Sequence, residues 1–332
     1  MLQRSRHAGW STQKASLKTH IEAQGFDIRS TVNDMTPYRF PLPYTPPFHW
    51  AQFQAFFALR LLPGVEALDT RGYRRIYRRQ EGACWFEVCP CDDRAELILT
   101  VHGVEADYEW LKAHVRHMFD LDVDPDAIQR HFERDEIMAP LVKRSPGLRL
   151  PAAFDPFEQA VRAIVGQQIS VKAAVTITNR IAERLGEQVD SFLDMPHRLF
   201  PTATQIADGD LSNIGMPQKR ADALQRFAQG IAEGSLVLGI DDTADALVER
   251  LCQLQGIGPW TAQYIALRAF GAKDAFPTSD LGLLKAPVWG DGGIDARSLA
   301  RRAEAWRPYR AYAAIHLWQN YTPAPLGSPP VT

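Results

Sequence analysis

Residues 251–280 read LCQLQGIGPWTAQYIALRAFGAKDAFPTSD, and the reading of the whole chain turns on them. Gly256 and Gly258 flank Ile257, and Pro259 follows where a helix begins, a position that tolerates proline because first-turn N–H groups lack helical partners. The pattern predicts a helix over 259–270, closed by Gly271 as a left-handed stop. Glycine on both sides of Ile257 lets the backbone turn tightly and approach another molecule closely. The N–H groups at such a helix start point outward with partial positive charge, which suits an anionic oxygen. Taken alone, Gly-Ile-Gly is also an ordinary turn.

Just downstream, PTSDLGLLK (277–285) places Asp280 ahead of a second short helical pattern. Aspartate is favoured there as an N-cap, and a carboxylate at a helix start is also well placed to act as a fixed negative charge. Trp260 and Tyr264 are four residues apart and so share a helix face, the face nearest the Asp280 loop. An aromatic pair at that spacing is as readily core as binding surface.

The ordered series Leu254, Gly256, Ile257, Gly258, Trp260, Thr261, Ala262, Tyr264, Ala269-Phe270-Gly271, Lys273, Asp274, Phe276, Asp280, Leu284 and Lys285 resembles the helix-hairpin-helix DNA glycosylase superfamily. The resemblance is nearest to the inducible 3-methyladenine-DNA glycosylase II group. It extends to PGLRLP (146–151), DPFEQAVRAIVGQQISV (155–171), GMPQKRADAL (215–224) and AEAWRPYRAYAAIHLW (303–318), and runs from about Pro46 to Tyr321.

The resemblance implies an α+β protein: a mostly helical, two-lobed glycosylase fold around a cleft, with an N-terminal subdomain built on an antiparallel sheet. It implies Asp280 as the catalytic carboxylate, and Trp260, Tyr264, Trp318, Phe56, Gln167 and Leu281 around the base pocket. Leu281 stands where the similar group has tyrosine. Gly256, Ile257, Gly258 and Thr261 would meet DNA, and Gln168, where that group carries leucine, would fill the gap left by the extruded base. Gln167 and Gln168 also fit as caps of the adjacent helices. Lys219 and Arg220 are either phosphate contacts or a solvated pair. The expected partner is duplex DNA carrying alkylated bases, met by a monomer without a cofactor, although related proteins hold a monovalent cation on hairpin carbonyls, here those near Gly256.

Enzymes that act on a base take it out of the stack. Alkylated purines are cationic, and a cation over tryptophan or tyrosine gains about 0.5 to 2 kcal/mol. Asp280 would then stabilise the electron-poor sugar as the base leaves and guide the attacking water. Bifunctional relatives carry lysine where this chain has Trp260, and no lysine lies in 256–271, so hydrolysis without strand cleavage is expected. Two other readings stay open: a glycosylase for oxidised or deaminated bases, and a non-catalytic binder of damaged DNA.

Composition bounds this without deciding it. At 332 residues the chain exceeds the size of one hydrophobic core, and a net charge of −2 confines any DNA contact to a local face. Cysteines 84, 89, 91 and 252 fit no zinc or iron-sulfur spacing. No apolar run reaches membrane-spanning length, and a cytoplasmic location is expected, on the nucleoid if the source is bacterial. Residues 1–44, basic and then proline-rich, read as a flexible arm, 45–122 as the α/β subdomain, 123–322 as the helical domain and 323–332 as a tail. Strands are expected at 65–68, 73–80, 83–88 and 96–101. The run RGYRRIYRR (71–79) reads as a solvated sheet face in preference to a DNA patch. Helices are expected near 125–134, 155–167, 171–185, 203–207, 218–233, 243–252, 259–270, 296–302 and 309–320.

Overall fold

The computed structural model describes residues 37–79, 82–103, 107–190, 195–239 and 243–321. Residues 1–36 of the expected arm and the expected tail at 323–332 lie outside them. The chain opens on strand β1 (Tyr38–Pro43), followed by α1 (Trp50–Ala58), β2 (Glu66–Leu68), β3 (Tyr73–Arg79), β4 (Gly82–Pro90), β5 (Glu96–His102) and α2 (Tyr108–Met118). The five strands form one antiparallel sheet in the order β1-β5-β4-β3-β2.

Strand β1 falls where the proline-rich sequence reads as arm, and the reason is positional. It pairs with β5 along the sheet edge, with Leu42 buried and Pro41 and Pro43 exposed. An edge strand tolerates proline because its outward side needs no ladder donor.

Beyond residue 124 the chain is almost wholly helical: α3 (Pro125–Phe132), α4 (Met138–Arg144), α5 (Pro156–Val165), α6 (Val171–Leu185), α7 (Ala203–Asp208), α8 (Gln218–Ala232), α9 (Ala244–Cys252), α10 (Pro259–Phe270), α11 (Leu281–Leu284), α12 (Ala296–Ala303) and α13 (Arg310–Tyr321). A two-stranded ribbon, β6 (Glu187–Gln188) with β7 (Arg198–Leu199), interrupts it. Most starts are written in the sequence: Asp124, Asp155, Ser170, Thr202, Thr243 and Asp295 each accept a hydrogen bond from a first-turn N–H. Helix α4 has no such signal next to it. Its start is held from two residues further back, where Asp135 Oδ1 accepts from the N–H groups of Ile137 and Met138, and Pro140 then sits in the first turn, where it costs no bond.

One contiguous cluster of buried side chains runs from Ile128 on α3 to Leu317 on α13, so the expected helical lobes share packing. A second cluster joins the sheet to α1 and α2. The arginines of β3 correct the reading of a solvated face, because Arg74 and Arg75 are both buried. Arg74 pairs with Asp69 at 2.7 Å. Arg75 and Arg162 of α5 share two carboxylates, Glu66 of β2 and Glu158 of α5, in a closed set of four charges. Burying a charge is tolerated only when it is paired and hydrogen-bonded, so this quartet fixes the sheet against the helix that leads into the site.

Candidate active site

Helix α9 ends at Cys252, and the turn to α10 is the expected hairpin. Gly256 has φ +94°, and a Cβ there would lie 2.6 Å from the Ala223 Cβ on α8. Glycine is therefore required twice, by conformation and by packing. The Gly258 backbone is extended, and a Cβ on it would meet nothing within 4 Å. It caps α10 without a side chain, leaving bare backbone facing outward. Gly271 has φ +56° and closes α10 as a left-handed stop.

Two of the expected DNA-contact side chains point inward instead. Ile257 is 4% exposed and belongs to the core cluster, so an apolar side chain anchors the turn while its backbone stays outside. Thr261 is 3% exposed, and its Oγ1 accepts from the Gln167 amide at 2.9 Å. Gln167 itself, expected at the base pocket, spends its Nε2 on Thr261 and on the Gly256 carbonyl, also at 2.9 Å. It braces the loop after α5 against the hairpin, 89 residues away. The Gly256 carbonyl that accepts from it is among the hairpin oxygens near which the resemblance expects a monovalent cation.

Gln168 is exposed at the tip of this loop with φ +57°, a conformation uncommon for residues other than glycine. Neither glutamine caps α6, because Ser170 does. Lys219 and Arg220 lie in the first turn of α8, the helix against which Gly256 packs. Lys219 is exposed, whereas Arg220 is half-buried with its guanidinium 3.5 Å from the Val165 carbonyl.

Asp280 is the N-cap of α11, its Oδ1 accepting from Leu283 N at 3.2 Å. The same oxygen accepts from Trp318 Nε1 at 2.8 Å, and Oδ2 accepts from Trp260 Nε1 at 2.8 Å. All three contacts are N–H donors, the pattern that orients a carboxylate anion. Trp260 and Tyr264 stack with centroids 5.2 Å apart, and Trp318 meets Tyr264 edge-on at 6.2 Å. All three rings are half-buried, so part of each stays open. Leu281, next to the carboxylate, is 65% exposed and stands at the rim instead of within the wall. Gly282 allows the close fit, since a Cβ there would lie 3.0 Å from Trp318 Cδ1 and 3.1 Å from Asp280 Oδ1.

Two arginines complete the site that sequence reasoning passed over. Arg268 is 4% exposed, with its guanidinium carbon 4.7 Å from the Phe56 centroid, 5.0 Å from Trp318 and 5.9 Å from Tyr264. Arg60 covers Phe56 at 4.3 Å. Burial lowers Arg268 to about 10, which leaves it cationic at neutral pH. Burial alone would raise the Tyr264 phenol, but the charges of Arg60 and Arg268 outweigh it and hold the phenol below its ordinary value. A signal did exist for Arg268, which is four residues after Tyr264 on α10 and so shares its helix face; Arg60 also follows Phe56 by four but lies beyond the end of α1.

Residues 39–155 match the AlkA N-terminal domain, and residues 161–290 match the HhH-GPD superfamily base excision DNA repair protein. The chain is 34% identical over 277 residues to the probable bifunctional transcriptional activator/DNA repair enzyme AlkA of Mycobacterium tuberculosis, covering 83% of this chain and 56% of that protein. It thus spans little more than half of that relative. To DNA-3-methyladenine glycosylase 2 of Escherichia coli it is 35% identical over 283 residues, covering 84% of this chain and 96% of the relative. The solved 3-methyladenine DNA-glycosylase from Archaeoglobus fulgidus superposes with a TM-score of 0.71 at 23% identity, over 86% of this chain and 98% of that one, which shows a common fold. A hairpin cornered by glycine, a carboxylate held between two indoles and this agreement along nearly the whole Escherichia coli relative lead to one conclusion: the chain belongs to the DNA-3-methyladenine glycosylase 2 family of HhH-GPD base excision repair proteins.

Proposed function

We propose that this chain is a monofunctional DNA glycosylase that binds duplex DNA as a monomer, flips an alkylated base out and hydrolyses its N-glycosidic bond. The observation that carries the reading is the Asp280 carboxylate, fixed by the indole N–H groups of Trp260 and Trp318 directly beside the hairpin helix. The exposed backbone at Gly258, the first turn of α10 and Lys219 offer donors and charge for phosphate oxygens. Gln168, at the tip of the neighbouring loop, takes the space the base vacates. The flipped base lies against the open parts of Trp260, Tyr264, Trp318 and Phe56, with Leu281 at the rim.

Bond breaking leaves the electron pair of the C1′–N bond on the base and positive charge on the sugar. An alkylated purine already carries positive charge, so it departs as a neutral base and needs no strong acid. Asp280 supplies a preoriented negative charge to the sugar cation, and water adds at C1′, giving up its proton to the Asp280 carboxylate and from there to solvent. The same charge gives Asp280 a use that a passive DNA binder would not have. With Trp260 at the hairpin position that holds lysine in lyases, no amine is placed for a Schiff base.

Chromatography of bases released from methylated DNA tests this. Wild-type protein releases 3-methyladenine, and Asp280→Asn releases none while still binding abasic duplex. Release by the variant at the wild-type rate removes Asp280 from its role, and borohydride trapping of the wild type on damaged DNA removes the monofunctional assignment.

A further inference from the structure

The rings expected to hold the base are not electrostatically neutral. Arg268 packs on Phe56, Trp318 and Tyr264 at once, and Arg60 covers Phe56. With Arg268 only 4% exposed, no ligand reaches the ring surfaces it covers, so a base must meet those rings from their open sides. Arg268 donates from Nη1 to the Pro151 carbonyl at 3.2 Å, and its Nε, fully buried, has no hydrogen-bond partner. Asp280 is a carboxylate whose charge acts on Arg268, and that charge is already directed by three N–H donors.

We propose that Arg268, supported by Arg60, is a specificity-determining cation behind the base pocket that reduces the preference of the aromatic wall for positively charged bases over neutral ones. The inference rests on the reading of these rings as the base pocket. The attraction of a cation to a ring comes from electron density on its face, and a guanidinium on one face draws that density away from the other. A base stacked about 3.5 Å from the open side of Trp318 would lie roughly 8 to 9 Å from the guanidinium carbon, close enough for like charges to repel in a partly desolvated site. A neutral base feels neither penalty. The arginine therefore costs a cationic substrate some of its advantage and leaves a neutral one of the same shape unaffected.

Two duplexes decide it, one bearing a single N7-methylated guanine, which is cationic, and one bearing a single hypoxanthine, which is neutral. Single-turnover excision of each is measured for wild type, Arg268→Met, Arg268→Lys and Arg60→Met. The quantity read is the ratio of cationic to neutral excision relative to wild type, in which leaving-group chemistry and the active fraction cancel. Arg268→Met should raise it about tenfold, Arg60→Met by less, and Arg268→Lys, which keeps the charge, should leave it near the wild-type value. A ratio that is unchanged or lower in both methionine variants overturns the proposal. Should Arg268→Met fail to fold, Arg60→Met decides by the same criterion. If wild-type protein excises neither base, it is the reading of the pocket that fails, and the two failures are told apart.

Discussion

Replacing Asp120 by asparagine should remove a pH dependence of stability that this residue alone supplies. Asp120 lies where α2, the segment leading to Leu150 and helix α13 meet. Its Oδ2 accepts from Leu150 N at 3.0 Å and from the Tyr312 hydroxyl at 2.9 Å. Burial raises its carboxyl from 3.8 to about 6, against the opposing pull of those donors and of the Arg149 charge. A folded value above the unfolded one means that the folded protein binds the proton more tightly. Stability from this group is therefore fully present below about pH 4 and is lost as pH rises through about 6. The whole shift corresponds to about 3 kcal/mol, of which about 2 kcal/mol falls between pH 4.5 and pH 7. Asparagine fits the site, because its carbonyl can accept from the same two donors and it tolerates the observed φ of +51°. Denaturant unfolding of both proteins across that interval gives the difference in stability, in which the titrations of other carboxylates cancel. Wild type should lose about 2 kcal/mol relative to Asp120→Asn on going from pH 4.5 to 7. A flat difference refutes the assignment. A difference of the opposite sign shows that the Arg149 charge outweighs burial and that the folded carboxyl lies below 3.8. The joint bears on the site, because Tyr312 stands on the helix that presents Trp318.

Three other perturbations test the geometry of the site and its frame. Gly282→Ala should slow excision about tenfold with no loss of thermal stability, since the added methyl crowds the Trp318–Asp280 contact at 3.0 to 3.1 Å while alanine favours the helix; an unaltered rate argues that this contact does not set catalysis. Gln167→Ala removes both amide bonds to the hairpin, worth about 1 to 2 kcal/mol together, and should reduce 2-aminopurine flipping and excision while abasic-DNA affinity changes little; equal loss in all three points instead to general loosening of the fold. Glu158→Gln leaves Arg75 and Arg162 sharing Glu66 and should cost about 3 to 5 kcal/mol in denaturant unfolding, as breaking a buried ion pair does.

What the sequence shows and what it hides divide along chain distance. The glycines at 256 and 271, the proline at 259 and the cap at Asp280 act on their own neighbours, and each is found in the expected local conformation, whereas Ser170 caps the helix for which Gln167 and Gln168 are the candidates in sequence. Asp280 is legible as a helix cap because capping is local, whereas its proposed catalytic use comes from the resemblance alone. Its two indole partners lie 20 and 38 residues away and could be suggested only by resemblance. The Arg75–Glu158 pair spans 83 residues, and nothing within RGYRRIYRR distinguishes an arginine that faces water from one that faces a distant glutamate. Prolines 41 and 43 misled for a related reason, since a proline-rich run becomes a strand only where another strand offers an edge.

The same contrast explains why Ile257 and Thr261 could not be placed from the hairpin motif alone. A turn that leaves its backbone exposed must be held from behind, and the side chains beside the glycines serve as that anchor: Ile257 enters the core, and Thr261 receives Gln167. The exposed side of the turn at Gly258 is then main chain, so the phosphate contact proposed for it does not depend on the net charge of −2. Around the proposed site the charges are one carboxylate directed by two indoles and two arginines packed behind aromatic rings. On the proposed reading of these rings as the base pocket, selectivity follows the balance between Asp280 and the arginines behind the wall, and shifting either charge should change which bases leave before it changes whether DNA binds.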